Sequence, residues 1–315
     1  PAEPLEAGFE GKPTVVHHPE TLSVISFLLQ DASRDFTQSE KVEKAQTKIV
    51  VIAGDLKQPA VVEVPSGMTI EDIIKKIGGG QASESGIRTV SCGGPTGAFL
   101  SPETLDLTLY DDRLQAAGCP PGPTEIRVYG WNNCLVDLTH TATLFAQSTS
   151  CGRCLFCREG TSQAFAIHAD LVEGKGSVDD LDLLKELGEN MIEQSLCDFG
   201  VRAAAPFLSA LNYFKDEYEL HVRRKKCPAL VCSHLVSYYV DPEKCQGCMV
   251  CLDHCSAEAI DGDEDMIHVI DQDECEKCGE CLKYCPHEAI VKTSGTKMKT
   301  PRKPQSVGSW KKRRR

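Results

Sequence analysis

The sequence predicts an α+β, multidomain protein, and three observations carry that prediction. The chain has 315 residues, which at about 100–200 residues per domain allows two or three domains. Residues 47–128 alternate short β-branched runs with one helical pattern, whereas Thr161 to Val172 and Val178 to Ile192 read as consecutive helices. Seventeen cysteines crowd the second half at spacings that suit metals better than disulfides, because thiolates two residues apart can converge on one ion.

The strand-rich part is built from Lys48 to Ala53, Ala60 to Val64, Arg88 to Cys92, Ala98 to Leu100 and Glu125 to Tyr129. Between the second and third of these, Met68 to Ile77 reads as an amphipathic helix. Ser66 or Thr69 is placed to cap it, and Gly78-Gly79-Gly80 to stop it. Gly93-Gly94-Pro95-Thr96-Gly97 reads as a turn, since a phosphate loop would be followed by a helix and carry a lysine. No G-x-G-x-x-G or Walker A spacing occurs in the chain.

Composition narrows the class. The chain is 41% hydrophobic, which argues against a disordered protein. Apolar runs such as Leu22 to Leu29 fall well short of the ~20 residues of a membrane span. No basic-then-apolar leader opens the sequence, and the first residue is not Met, which suggests processing or truncation. The formal charge is −12, but residues 292–315 hold ten Lys/Arg and no acid, so the remainder carries 24 basic against 46 acidic residues. An acidic body disfavours nucleic acid. The basic segment, ending in Lys311 to Arg315, is expected to be a solvated tail or a docking arm.

The strongest motif is a repeat. Cys245-x2-Cys248-x2-Cys251-x3-Cys255 recurs thirty residues later as Cys275-x2-Cys278-x2-Cys281-x3-Cys285. In two-cluster ferredoxin patterns the fourth cysteine of each run ligates the other cluster. One [4Fe–4S] set is therefore expected at Cys245, Cys248, Cys251 and Cys285, and another at Cys275, Cys278, Cys281 and Cys255. Gly247 and Gly279 give the loops room to turn. Pro286 follows the last cysteine as the bacterial pattern asks, whereas Ser256 stands in the first copy.

A second motif, Ser150-Cys151-Gly152-Arg153-Cys154-Leu155-Phe156-Cys157-Arg158-Glu159-Gly160-Thr161, again has three cysteines at the same spacing. The intervening helical hairpin can bring Cys197 back as the fourth ligand. Zinc is the competing reading there. A third, looser set is His221, Cys227 and Cys232, three zinc-type ligands that lack a fourth. Cys92 and Cys119 remain as small core residues.

The Cys-Gly-x-Cys-x-x-Cys-Arg-Glu-Gly-Thr motif with its distant Cys197 resembles the cluster domain of the flavoprotein subunit of complex I-type NADH dehydrogenases. With the appended cysteine repeat, the chain is similar to the NADH-oxidising subunit of electron-bifurcating [FeFe]-hydrogenases. The resemblance implies a β-grasp (ubiquitin-like) domain over 47–130, a helical [4Fe–4S] domain over 131–226, and a zinc hinge with a two-cluster ferredoxin domain over 227–291. Residues 1–46 would be the end of an FMN domain, and 292–315 a basic tail. It also implies Cys134 as the fourth zinc ligand beside His221, Cys227 and Cys232. Gly11 to Leu22 resembles a family segment whose polar residues touch FMN. The matching positions are His17, His18 and Thr21, two of them departing from the family's Asn. The resemblance places the FMN and NADH loops upstream of this chain, so FMN is expected only where that upstream domain is present.

Three functions follow as expectations. The first is an iron–sulfur electron-transfer subunit of an NAD(P)H-linked complex, electron-bifurcating or not, in a reducing cytoplasm. Its partners would be a thioredoxin-like [2Fe–2S] subunit, a hydrogenase or dehydrogenase, or a ferredoxin, with no nucleic acid and no membrane span. The second is an NADH:acceptor flavoprotein whose FMN domain lies outside this chain. The third is a zinc-held scaffold without a redox role.

Overall fold

The computed structural model describes residues 4–30, 47–120 and 122–310. Pro19–Gln30 forms α1, and Glu20 in its first turn accepts hydrogen bonds from Lys48 Nζ and from the Ile49 amide at 2.9 Å. That contact ties the N-terminal segment to the first strand.

Five strands build one mixed sheet: β1 (Thr47–Gly54), β2 (Ala60–Pro65), β3 (Ile87–Cys92), β4 (Ala98–Leu100) and β5 (Glu125–Gly130). Their order is β2-β1-β5-β3-β4. β1 runs parallel to β5, and the other pairings are antiparallel. Val50 and Ile52 of β1 point inward and their neighbours outward, the alternation that one buried sheet face requires. The inward face packs on Ile70, Ile73, Ile74, Leu107, Leu109 and Leu114.

The helix expected over 68–77 is shorter and splits. Thr69 caps it by accepting from the Asp72 amide at 3.1 Å, ordinary helix covers only Ile70–Asp72, and Ile73–Ile77 forms a wider π turn. The Gly78 and Gly80 amides close that turn on Ile73 and Ile74. The wider turn lets two successive isoleucines both face the sheet.

Gly54 ends β1 at φ +90, where an added Cβ would lie 2.1 Å from the Val128 carbonyl oxygen. Gly54→Ala is expected to cost about 2–3 kcal/mol or more through backbone strain and displacement of β5. Urea unfolding followed by circular dichroism would register it. Gly67→Ala, which meets nothing within 4 Å, should leave the midpoint nearly unchanged.

The helical layer consists of α2 (Leu135–Thr149), α3 (Leu155–Val172), α4 (Asp179–Gln194), α5 (Ala205–Tyr213) and α6 (Lys215–Arg224). Its core, centred on Leu135, Leu171, Leu184, Phe207 and Tyr218, also takes in Phe99 from β4. Sheet and helices thus meet through Phe99, where β4 packs on α5. Within it, His168 bonds the Ala164 carbonyl at 2.7 Å and the Tyr218 hydroxyl at 3.1 Å, and Tyr218 meets Thr139 at 2.7 Å. Burial pushes His168 down to about 4, so this link between α2, α3 and α6 is neutral.

The third unit pairs β6 (Val236–Val240) antiparallel with β10 (Ile290–Ser294). Inside it, β7 (Ile260–Asp261) pairs with β9 (Val269–Ile270). The segment expected to be a basic tail is partly built into this unit. Its first residues belong to β10, Gln305–Ser306 (β11) pairs with Met266–Ile267 (β8), and Val307 and Trp310 pack on the core. Lys311 to Arg315 lie outside the described residues. Among the described residues no helix is long and apolar enough to cross a membrane.

Candidate metal centres

Two cavities in the third unit are each ringed by four cysteines. One is lined by Cys245, Cys248, Cys251 and Cys285, the other by Cys255, Cys275, Cys278 and Cys281. Each therefore receives three thiols from one copy of the repeat and one from the other. The antiparallel β6–β10 pair and the short helices after each loop produce the exchange by bringing the two copies face to face. Gly247 and Gly279 take positive φ at the loop tips, where a Cβ would be strained. Burial, then the neighbouring Cys245 and Cys248, pushes Cys251 up to about 12. Burial and Cys275 push Cys281 up to about 11. Each of these two thiols therefore needs positive charge at its centre to ionise, which is what an iron–sulfur cluster supplies.

One side chain at the first cavity was not expected from the sequence. His268 is buried and its Nδ1 lies 3.1 Å from Cys251 Sγ. Burial holds its pKa below the ordinary histidine value, against the Asp263 backbone near the ring and that residue's charge.

Cys151, Cys154, Cys157 and Cys197 gather where α3 begins and the chain returns after α4. Burial raises Cys157, Ser150 opposes the shift, and the nearby Cys154, Cys197 and Cys151 thiols add to it. The Leu196 amide, then that of Cys157, lowers Cys154. Ser150 Oγ sits 3.4 Å from Cys157 Sγ, and Arg158 closes the loop by donating to the Gly152 carbonyl at 3.0 Å. Cys151 and Cys197 are exposed, as are Leu155, Phe156 and Leu196. This group therefore opens onto an apolar surface.

Cys134, His221, Cys227 and Cys232 are all buried, with their ligand atoms within 4.8 Å of one another. Cys134 Sγ lies 3.7 Å from Cys232 Sγ, and His221 Nε2 lies 3.3 and 3.5 Å from those two sulfurs. Tetrahedral zinc, with bonds of about 2.3 Å to sulfur and 2.0 Å to nitrogen, requires ligand separations of about 3.5–3.8 Å. The residues fit that ion. His221 Nδ1 faces the Glu217 carbonyl at 2.9 Å, which leaves Nε2 free for a metal. The Val231 amide donates to Cys227 Sγ at 3.4 Å. Hydrogen bonds among the thiols push Cys134 up and pull Cys227 down, so a cation is needed to ionise all three.

Glu217 also organises this site from behind. Its Oε1 accepts from the Leu135 amide at 3.1 Å, and its Oε2 accepts from Arg88 of β3. Arg88 donates as well to the Asn133 carbonyl and lies over the Trp131 ring. Burial raises the Glu217 carboxyl although Arg88 pulls it down.

His17, His18 and Thr21 are exposed; His18 Nδ1 accepts from the Glu20 amide at 3.3 Å and lies 3.9 Å from the Glu20 carboxylate. Cys92 and Cys119 are buried in the sheet core.

Three family models match parts of this chain. Residues 137–221 match the NADH-ubiquinone oxidoreductase-F iron-sulfur binding region, 238–289 a 4Fe-4S dicluster domain, and 49–97 an SLBB domain. The NADP-reducing hydrogenase subunit HndC of Solidesulfovibrio fructosivorans is 34% identical over 85% of this chain and 55% of its own length. The F subunit of the Streptomyces coelicolor NADH-quinone oxidoreductase is 31% identical over 72% of this chain and 51% of its own. The chain thus spans about half the length of the curated relatives it matches. An NAD+-reducing [NiFe]-hydrogenase in the H2-reduced state superposes with a TM-score of 0.57 and 25% identity, covering 70% of this chain and 36% of that one.

Proposed function

We propose that this chain, a homologue of the NADH-quinone oxidoreductase F subunits and of the hydrogenase subunit HndC, is an electron conduit in a multi-subunit, NAD(P)H-linked oxidoreductase. The observation that carries the reading is the pair of four-cysteine cavities, each completed by the opposite repeat. Thiolate-held iron–sulfur clusters exchange single electrons with little rearrangement. Cys245, Cys248, Cys251 and Cys285 would hold one [4Fe–4S] cluster, and Cys275, Cys278, Cys281 and Cys255 a second. Cys151, Cys154, Cys157 and Cys197 would hold a third, nearest a flavin. Cys134, His221, Cys227 and Cys232 would hold structural zinc, and the five-stranded sheet would be a β-grasp domain.

The residues of this chain fix, shield and expose the centres. Exposed Leu196, Leu155 and Phe156 adjoin the exposed thiols of the third set, a surface suited to a flavin domain or another protein of the complex. The repeat unit would pass electrons to or from a ferredoxin or a hydrogenase-type partner.

Iron and acid-labile sulfide counts test the reading. About twelve of each per chain are expected from three cubanes. Cys197→Ala should remove about four of each and leave the remainder. Iron near zero would overturn the electron-transfer reading in favour of a zinc-held scaffold.

A further inference from the structure

His268 is buried, and its Nε2 has no hydrogen-bond partner among the described residues. Its Nδ1 faces Cys251 Sγ at 3.1 Å. A cluster-ligating sulfur is an acceptor, so the favourable tautomer carries the proton on Nδ1 and points it at the sulfur. The other tautomer would set two lone pairs, of Nδ1 and of the sulfur, against each other at 3.1 Å, a costly arrangement.

The seat of the ring is shaped for it. An added Cβ on Gly262 would lie 2.3 Å from His268 Cδ2, so only glycine there leaves room for the imidazole. The second cavity lacks the feature. The residue thirty positions on is Met298. Among the described residues no imidazole bonds to Cys255, Cys275, Cys278 or Cys281; His254 instead stacks on Tyr284 at 4.0 Å.

We propose that His268 is a positioning residue that donates an N–H···S hydrogen bond to Cys251 and makes the cluster at Cys245, Cys248, Cys251 and Cys285 easier to reduce than its twin. Hydrogen bonds to ligating sulfur stabilise the more negative, reduced state and raise the potential. The repeat is symmetric in its ligands and asymmetric in its donors: the His268 imidazole faces Cys251, and in the same cavity the Ala289 amide donates to Cys285 Sγ at 3.3 Å. Electrons entering the unit would therefore rest preferentially on the cluster beside His268. The inference depends on the electron-transfer reading above.

The test is a redox titration of the intact chain followed by EPR, on wild-type protein, His268→Leu and His268→Gln. His268→Leu is expected to make one cluster harder to reduce by about tenfold in its one-electron equilibrium constant, which is 59 mV. The twin cluster should stay unmoved. His268→Gln, which keeps an N–H donor, should recover most of the shift. Unchanged potentials in His268→Leu with iron retained would overturn the inference and leave the electron-transfer reading standing. Should the variants lose iron, wild-type protein labelled with 15N-histidine decides. His287 lines the same cavity and His254 the second, so the label is read in a His254→Gln/His287→Gln background; coupling of a histidine nitrogen to one reduced cluster there supports the bond, and its absence from both overturns it. A wild-type chain without iron in these cavities would sink the underlying reading, which separates the two failures.

Discussion

Arg88→Met is expected to destabilise the folded chain by about 3–5 kcal/mol, because it strands a buried carboxylate. Arg88 and Glu217 are each only 5% exposed, and they bridge β3 to α6 across 129 positions of sequence. The substitution keeps an aliphatic stem but removes the charge, the guanidinium that lies over the Trp131 ring and the bond to the Asn133 carbonyl. A loss of this size would lower the melting midpoint on the order of 10 °C. The exposed Arg113–Asp111 pair supplies the control, and Arg113→Met should barely move the midpoint. Arg88→Met/Glu217→Gln should recover much of the loss, since it removes both charges and keeps an acceptor for the Leu135 amide.

The pH dependence has a definite sign. Burial already raises the folded-state pKa of Glu217, and Arg88 counters it; without Arg88 the rise is larger. A carboxyl raised in the folded state costs nothing below its unfolded value. Its penalty grows as pH rises through the folded value. The deficit of Arg88→Met relative to wild type should therefore shrink as pH is lowered from 7 toward 5. A deficit that stays constant over that range would show that lost packing, rather than the stranded charge, is responsible.

Parts of this architecture are local enough to be read from sequence. The grouping of cysteines around the two cavities can be read from their spacing, because ligand loops are contiguous and their repeat is in register. The strands of the sheet are legible from β-branched runs bounded by glycines. The π turn at Ile73–Ile77 is not, since helical periodicity cannot distinguish one extra residue per turn. Arg88 and Glu217 give no signal: their pairing is set by how a sheet and a helix dock, and each in isolation looks like a surface charge. His268 is similarly silent, being separated from Cys251 by a hairpin. Its one trace is negative, the repeat's failure to place a second histidine at Met298. The basic segment misleads for a physical reason too. Charge predicts solvation, yet Val307 and Trp310 supply enough apolar surface to hold it down.

Cys227→Ala is expected to weaken zinc binding by more than about 100-fold, beyond the 10–100-fold typical of an outer-shell change. Cys134 and His221 come from the helical layer, whereas Cys227 and Cys232 come from the loop that leads into the repeat unit. The ion would therefore bridge two parts of the fold. On the repeat side, the Cys227 amide donates to Ser294 Oγ at 2.8 Å, and that hydroxyl donates to the Leu235 carbonyl at 2.7 Å. With the ligand lost, amide exchange should quicken around Cys227 to Leu235 and proteolysis should begin there. The iron count should stay near wild type, because none of its twelve expected cysteines belongs to this site. Wild-type zinc should be stripped more readily as pH falls, since thiolates and a neutral imidazole bind only after releasing protons. Arg88→Met belongs to the same series: it disturbs Glu217, whose carbonyl orients His221, and should cost about 10–100-fold in zinc affinity. Elemental analysis after graded chelator challenge would rank the three proteins. Loss of iron along with zinc in Cys227→Ala, or full retention of zinc, would show that these four residues do not form a separate structural site.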